Sequence, residues 1–366
     1  MRSIFLGVFL ICSIAPLFAQ DPAQGPTDKK AQKSYQQGLQ SLQQRAPDEA
    51  LWYFRDADKQ DHGHCVPCQE QMVQLGLTKA DWKDVEAGAS ELASEMQEPK
   101  QQAVAHYYLG MALEHQGIDG HEADLLSRAH DEFVKANSLS PLPDIVFEDG
   151  KALAQLHKDD EAKAEFQKFV AMTPEGAFQR HRAQQFINKR DLARANMVPE
   201  FAIRTADNRV ISARELEGKV VLVYFWATTC DLCARALPRL REIAKKFQNQ
   251  PFLLLSISVD YQEPAWRSFL EKNDIPGVQY RDGYHGPLAQ LFQVGIRFQS
   301  IVDHPLGGVG NSMAGVWRQS FGMNEDVPKT FTIDADGVLQ PEKLSDSLDA
   351  TLQQLIDRTS QNAAKN

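Results

Sequence analysis

Two distant stretches of this chain carry the same spacing of small and aromatic residues: Gly38, Ala50, Phe54 and Ala57 recur as Gly150, Ala162, Phe166 and Phe169. Gly110, Ala129, Phe133 and Ala136 form a third set, with the gap after the glycine lengthened by seven residues around 117–123. A small residue on one helix facing small and aromatic residues on the next is what a closely packed helical hairpin requires. Such hairpins bury their apolar faces only by stacking on one another, so the N-terminal half is expected to be a quasi-linear helical array. Pro141 and Pro174 close the third and last units at equal distances from Ala129 and Ala162.

About four units are expected from Ala31 to Gly176. The one from Cys65 to Glu98 is degenerate, keeping the Asp81-Trp82 helix entry and apolar Val85, Ala89 and Leu92. A closing helix over 177–195 is expected to turn Phe178, Phe186 and Ile187 to the stack and Arg180, Arg182, Lys189 and Arg190 outward. The period, near 34 residues, resembles that of tetratricopeptide repeats. That resemblance implies a concave surface for a protein or peptide; an unrelated helical bundle is the other reading.

The whole chain has 366 residues, 43% hydrophobic and 24% charged, as in a folded protein of two domains. Its net charge of -10 excludes the basic footprint of a nucleic-acid binder and disfavours an anionic membrane surface. The one long apolar run is N-terminal: Arg2, then Ile4 to Ile14, then Pro16-Leu17-Phe18-Ala19 before Gln20. This follows the plan of a secretory signal, so residues 1–19 are expected to be removed, the mature protein to have no membrane span, and its compartment to be the periplasm. Cys12 would leave with the signal. The remaining four cysteines form two Cys-x-x-Cys pairs, Cys65/Cys68 and Cys230/Cys233. In an oxidising compartment each pair is a disulfide, a redox couple or half a metal site.

From Pro199 the composition shifts. Strands are expected at 199–203, 220–226, 252–259, near 278–280, at 330–333 and at 338–339, with helices over 234–247, 264–273 and 344–356. Asp336-Gly337 signals a hairpin. The fully apolar run from Val220 to Trp226 suits a strand buried on both faces. The expected architecture is α+α/β: residues 31–196 a helical solenoid after a linker at 20–30, residues 197–358 an α/β domain with a central mixed sheet, and 359–366 a tail.

Phe225-Trp226-Ala227-Thr228-Thr229-Cys230-Asp231-Leu232-Cys233, with Pro238 five residues on, resembles the active-site segment of thioredoxin-like proteins. With the opening segment 199–219, Ser258-Val259-Asp260 and Val327-Pro328-Lys329-Thr330-Phe331, it resembles the TlpA/ResA-type exported thiol-disulfide oxidoreductases, a redoxin (AhpC/TSA-like) domain. The resemblance covers about 160 residues; the repeats lie outside it. It implies protein thiol or disulfide clients, catalytic Cys230 and Cys233, a cis-proline at Pro328, client contacts at Val327, Pro328 and Trp226, and neither cofactor nor metal. The residues support these roles independently. Cys230 ends a strand where Asp231 starts a helix, whose unpaired N–H groups and dipole lower a thiol pKa. Cys233, one turn later, is in reach to resolve a mixed disulfide. Pro238 should kink that helix.

The chain departs from the family at Thr229, usually Trp, and at Asp231-Leu232, usually Gly-Pro or Glu-Pro. Tyr224 and Ala236 stand where relatives often carry a proton-handling acid. The frame of a peroxiredoxin is missing, since Val223 and Ala227 fill its Pro and Thr positions. In the first half, His62-Gly63-His64-Cys65-Val66-Pro67-Cys68 leaves three readings open: a structural disulfide, a second redox couple, or a copper or zinc site. Gln69 replaces the histidine that haem attachment needs. Residues 295–323, glycine-rich, are expected to be a loop, either a rim over the active site or a tolerated insertion.

Overall fold

The computed structural model describes residues 25–44, 46–283, 286–292, 294 and 327–363. The signal segment, Cys12 and the 295–323 loop lie outside the described residues. The chain divides into two compact units, Met1–Arg194 and Ala195–Asn366.

The first unit is a run of helical hairpins. Helices α1 (Lys29–Gln43) and α2 (Pro47–Gln60) form the first, α3 (Val66–Lys79) and α4 (Trp82–Glu95) the second. Helices α5 (Pro99–Gly120) and α6 (Ala123–Leu139), then α7 (Pro143–Gln155) and α8 (Asp159–Met172), complete the array. Asp28 caps α1, its carboxylate accepting from the N–H groups of Lys30 and Ala31. Helices α2, α5 and α7 open on a proline, whose missing N–H would have had no partner there. Each helix packs on the next along the chain, within hairpins and between them.

The repeated spacing has a direct spatial cause. A Cβ added to Gly38, Gly110 or Gly150 would lie 2.7, 2.6 or 2.8 Å from the ring of Phe54, Phe133 or Phe166. In all three hairpins the ring of the second helix lies against the first helix's backbone, and only glycine leaves room. The seven extra residues after Gly110 lengthen α5 to 22 residues, against 15 and 13 for α1 and α7.

The degenerate unit forms a complete hairpin. Its turn is that of its neighbours: Ala80, His121 and His157 all adopt left-handed backbone. The following N–H groups return to carbonyls five residues back, Asp81 to Gly76 and Glu122 to Gly117 at 2.8 Å, Lys158 to Leu153 at 3.0 Å. The small residue has changed helices. Gly88 on α4 packs against Gln69, Met72 and Val73 of α3, where its Cβ would come within 2.8 Å of the Gln69 carbonyl oxygen.

The closing segment differs from expectation. Helix α9 (Phe178–Asn188) stops at an extended Lys189, and a 3-10 turn, Arg190–Arg194, follows. Phe186 covers the last hairpin, its ring 5.2 Å from Phe166 and 6.0 Å from Phe147. Arg182, expected outward, is buried with its guanidinium 5.0 Å from the Phe178 ring centroid. The planar cation can stack on an aromatic face, which a lysine does less well. Arg180 reaches back to the Val170 and Thr173 carbonyls, acceptors left free at the end of α8.

The second unit has a thioredoxin-like arrangement. A two-stranded antiparallel ribbon, β1 (Ala202–Arg204) and β2 (Val210–Ser212), precedes a mixed five-stranded sheet. Its strands are β3 (Val220–Trp226), β4 (Phe252–Ser258), β5 (Val278–Arg281), β6 (Lys329–Ile333) and β7 (Leu339–Glu342), in the order β5-β4-β3-β6-β7. Central β3 runs parallel to β4 and antiparallel to β6. All seven of its residues are buried, as its unbroken apolar run requires. Helices α10 (Asp231–Phe247), α11 (Glu263–Lys272), α12 (Pro287–Leu291) and α13 (Leu348–Ala363) complete the unit. Helix α10 buries Leu237, Leu240, Ile243 and Phe247 along one face; α13 buries Leu348, Leu352 and Ile356. The Asp349 carboxylate joins the two helices, accepting from Arg239 at 2.5 Å and Lys246 at 3.0 Å. Among the described residues, no helix is long and apolar enough to cross a membrane.

Candidate functional site

Strand β3 delivers the chain to the C-terminal edge of the sheet, where Ala227 to Thr229 turn it into α10. Cys230 is the N-cap of that helix and Cys233 lies in its first turn. Their sulfurs are joined in a disulfide, with Cα atoms 5.2 Å apart. Cys230 is part-exposed, whereas Cys233 is 2% exposed. An incoming sulfur therefore meets residue 230 first. The Cys233 N–H points at Cys230 Sγ, 3.0 Å away, a donor that also favours a thiolate at that position.

The Val327–Pro328 peptide is cis and stands beside this sulfur: the Val327 carbonyl oxygen is 3.5 Å from Cys230 Sγ. Pro328 leads into β6, which pairs with β3, so two neighbouring strands bring together residues 97 apart in sequence. Val327 is buried and Pro328 half-buried. Trp226, expected at the client surface, is instead 1% exposed and packs on Phe269 with ring centroids 5.5 Å apart. The alternation of β3 turns it into the core between strand and helix. Leu232, within the motif, is 57% exposed and supplies the apolar side chain there.

Sequence reasoning gave no role to the acid at the end of β4. Asp260, 8% exposed, accepts from the Thr228 N–H at 3.0 Å and the Thr228 hydroxyl at 2.7 Å. It also accepts from the Ser258 hydroxyl at 2.6 Å, and Arg281 donates to its backbone carbonyl at 3.1 Å. A buried carboxylate so satisfied fixes the turn two residues before Cys230. The signal was available: an acid directly after an apolar strand neighbouring the cysteine-bearing strand. Tyr224, at the family's acid position, is fully buried and donates to the Cys233 carbonyl at 3.1 Å. Burial pushes its hydroxyl pKa up, so it stays protonated and acts as a brace for the first turn of α10. Pro238 lies inside α10, four residues beyond the Ala234 carbonyl that its missing N–H leaves free.

In the first unit Cys65 and Cys68 are also bonded to each other, both fully buried among Ala50, Leu51, Phe54, Ala57 and Met72. His64 turns away to Glu95, 2.8 Å from its Nδ1. The seven-residue segment therefore does not assemble its soft ligands, and the described residues hold no group of three or more potential ligands suited to a metal.

Residues 195–341 match the model of the AhpC/TSA family. Among curated proteins, the thiol-disulfide oxidoreductase ResA of Bacillus cereus is 24% identical over 90 residues, 25% of this chain and 52% of that protein. ResA of Halalkalibacterium halodurans is 28% identical over 88 residues, 24% of this chain and 50% of that protein. The chain thus spans about half the length of the curated relatives it matches. Solved structures that are similar include a thiol-disulfide oxidoreductase from Bacteroides fragilis, at 18% identity and TM-score 0.33, covering 44% of this chain and 99% of that one. A thiol:disulfide interchange protein of the thioredoxin family from Chlorobium tepidum is 21% identical with TM-score 0.31, covering 44% and 97%. Over residues 195–341, then, this chain matches the AhpC/TSA family model, and over about a quarter of its length it is similar to ResA-type proteins.

Proposed function

We propose that this protein is an exported thiol-disulfide oxidoreductase that exchanges disulfides with protein clients through Cys230 and Cys233, and that its helical repeats recruit those clients. The observation that carries the reading is a part-exposed sulfur at a helix N-cap, bonded to a buried one a turn later and flanked by a cis-proline strand. Such a constellation has no packing purpose that a pair of alanines would not serve, and every part of it has a redox one.

The exchange starts from the reduced pair. The Cys230 thiolate attacks one sulfur of a client disulfide; the other client sulfur leaves as a thiolate and takes a proton. The Cys233 thiolate then attacks Cys230 Sγ, breaking the mixed disulfide and releasing the second client thiol. Two electrons pass to the client, and the protein is left in the bonded state seen here; an external dithiol returns it to the start. The extended backbone at Val327 gives a client strand a place to pair beside the reacting sulfur. A peroxidase reading is disfavoured because Val223 and Ala227, both buried apolar residues, occupy the positions of its proline and threonine.

The test is reduction of insulin disulfides with dithiothreitol as electron source. Wild type should accelerate it and Cys230→Ser should abolish the acceleration. Equal rates for the two would sink the enzyme reading and leave a helical interaction protein carrying an inert module.

A further inference from the structure

We infer that Cys65–Cys68 is a second redox centre, a disulfide in the helical unit that accepts two electrons from a dithiol while the unit stays folded. The inference does not depend on the function proposed for Cys230 and Cys233.

Three observations lead to it. The first is placement. Cys65 is the N-cap of α3 and Cys68 lies in its first turn, with Cα atoms 5.2 Å apart. Cys230 and Cys233 stand in the same positions on α10 at the same separation. At α3 the Val66, Cys68 and Gln69 N–H groups are bonded to backbone carbonyls and Pro67 has none, so it is the helix dipole that favours the thiolate formed when such a bond opens.

The second is the weak structural case for the bond. It joins residues three apart, and the chain entropy that a cross-link removes grows with the loop it closes. A bond meant to pin the array would tie one hairpin to another. This one ties a helical turn to itself, and the hairpin α3–α4 is already held by its left-handed turn and by Gly88.

The third is the turn next to the sulfurs. Both are buried, and directly before Cys65 the chain makes a turn, residues 61–64, with His62 and Gly63 in left-handed backbone and His62 and His64 exposed. That turn is held by the N–H groups of His62, Gly63 and His64 to the Lys59, Asp58 and Asp61 carbonyls, by the Gln69 side-chain amide to the Gly63 carbonyl at 2.7 Å, and by the Asp61 carboxylate, which accepts from Thr27 and Asp28. Under this inference a dithiol reaches the disulfide by local opening at that turn, with the helices still stacked. Asp58 accepts from the Cys65 N–H at 3.3 Å and from the Gln69 amide at 3.0 Å. Burial and the Asp58 carboxylate push Glu91 up to about 8, so Glu91 keeps its proton at neutral pH.

The reaction balances simply. One thiolate of the dithiol attacks a sulfur of the Cys65–Cys68 bond and forms a mixed disulfide. Its second thiolate displaces the protein sulfur. The dithiol ends as a disulfide, and Cys65 and Cys68 end as two thiols carrying the two protons.

The experiment uses the full-length Cys230→Ser/Cys233→Ser variant, which retains only this pair among the cysteines expected in the mature chain. The variant is incubated in graded dithiothreitol buffers without denaturant, then alkylated and weighed, with far-UV circular dichroism recorded in parallel. The expected result is a gain of two alkyl groups per chain at an unchanged helical signal, reversed when oxidised glutathione is added. Failure to label until denaturant is present, or labelling only as the helical signal falls, overturns the inference and makes the bond structural. Adding Cys65→Ser/Cys68→Ser must remove the label.

Discussion

The Asp260 carboxylate holds both the backbone N–H and the hydroxyl of Thr228, at 3.0 and 2.7 Å, so the end of one parallel strand fixes the turn that aims Cys230 from the next. Asp260→Ala would leave the Thr228 N–H and the Ser258 hydroxyl without their acceptor, a cost of about 2 kcal/mol. The turn would then relax, and misplacement of an attacking group by about an ångström lowers rates by roughly a hundredfold. Insulin reduction by Asp260→Ala should fall by at least tenfold, with Asp260→Asn intermediate because an amide keeps one acceptor. A rate unchanged in both variants would mean that the clamp serves folding alone.

Cys233→Ser should trap clients. With the resolving sulfur gone, a mixed disulfide at Cys230 persists, and higher-mass bands that vanish on reduction should accumulate on non-reducing gels. These bands should be absent from Cys230→Ser and from the double variant. If Cys230→Ser traps as much as Cys233→Ser does, the order of attack argued from exposure is wrong.

The second unit was legible because its signals are local and strong. The apolar, β-branched run Val220 to Trp226 suits a strand buried on both faces, and the cysteine motif after it marks a helix start. Pro328 was legible through its sequence context, and the structure bears out its cis peptide. What escaped depends on contacts that composition does not carry. Strand β2 is three residues long and exists by pairing with β1. The last helix starts at Leu348, four residues later than its apolar pattern suggests, because Ser345 and Ser347 bond each other in a turn before it. Trp226 and Arg182 were misjudged for a common reason. Which way a side chain faces is set by its partner, here Phe269 and Phe178, and neither lies within the motif that drew attention to it. The degenerate hairpin was obscured by an exchange of sizes between Val73 and Gly88, which preserves the packing and erases the pattern.

Gly110→Ala should destabilise the helical unit although alanine is the better helix former by about 1 kcal/mol. The new methyl would meet the Phe133 ring at 2.6 Å, and overpacking of this kind costs typically about 1–3 kcal/mol. Phe133→Leu in the same chain should recover part of the loss by withdrawing the ring. Thermal unfolding followed at the helical band decides it; a Gly110→Ala variant more stable than wild type would show that the close approach is not tight in solution.

The helical unit should lose stability as pH rises through neutrality. Burial pushes Glu114 and Glu91 up to about 8 and Glu70 up to about 7, from an ordinary 4.5. Each therefore holds a proton in the folded state that the unfolded chain has already released. Its contribution is complete below pH 4.5 and is lost as pH climbs through the folded value, at about 1.4 kcal/mol per pH unit for fully buried Glu114 and less for part-exposed Glu91 and Glu70, which water screens. His115, half-buried and stacked on Trp82 at 3.8 Å, works the other way, since burial pulls it down to about 4. Its contribution is complete above pH 6.5 and is lost as pH falls towards 4, so between 4.5 and 6.5 it offsets one of the acids. From pH 6.5 to 8 the His115 contribution is constant, the acids lose theirs together with His130, which its hydrogen bond to Asp149 raises, and the unfolding temperature of the full-length protein should drop there. Glu114 is 1% exposed and neither of its oxygens is hydrogen-bonded among the described residues, although Lys151 lies 3.6 Å away. Glu114→Gln, neutral at every pH, should make the decline shallower. If wild type and variant decline in parallel, Glu114 is ionised and paired with Lys151 throughout, and the slope comes from Glu91, Glu70 and His130.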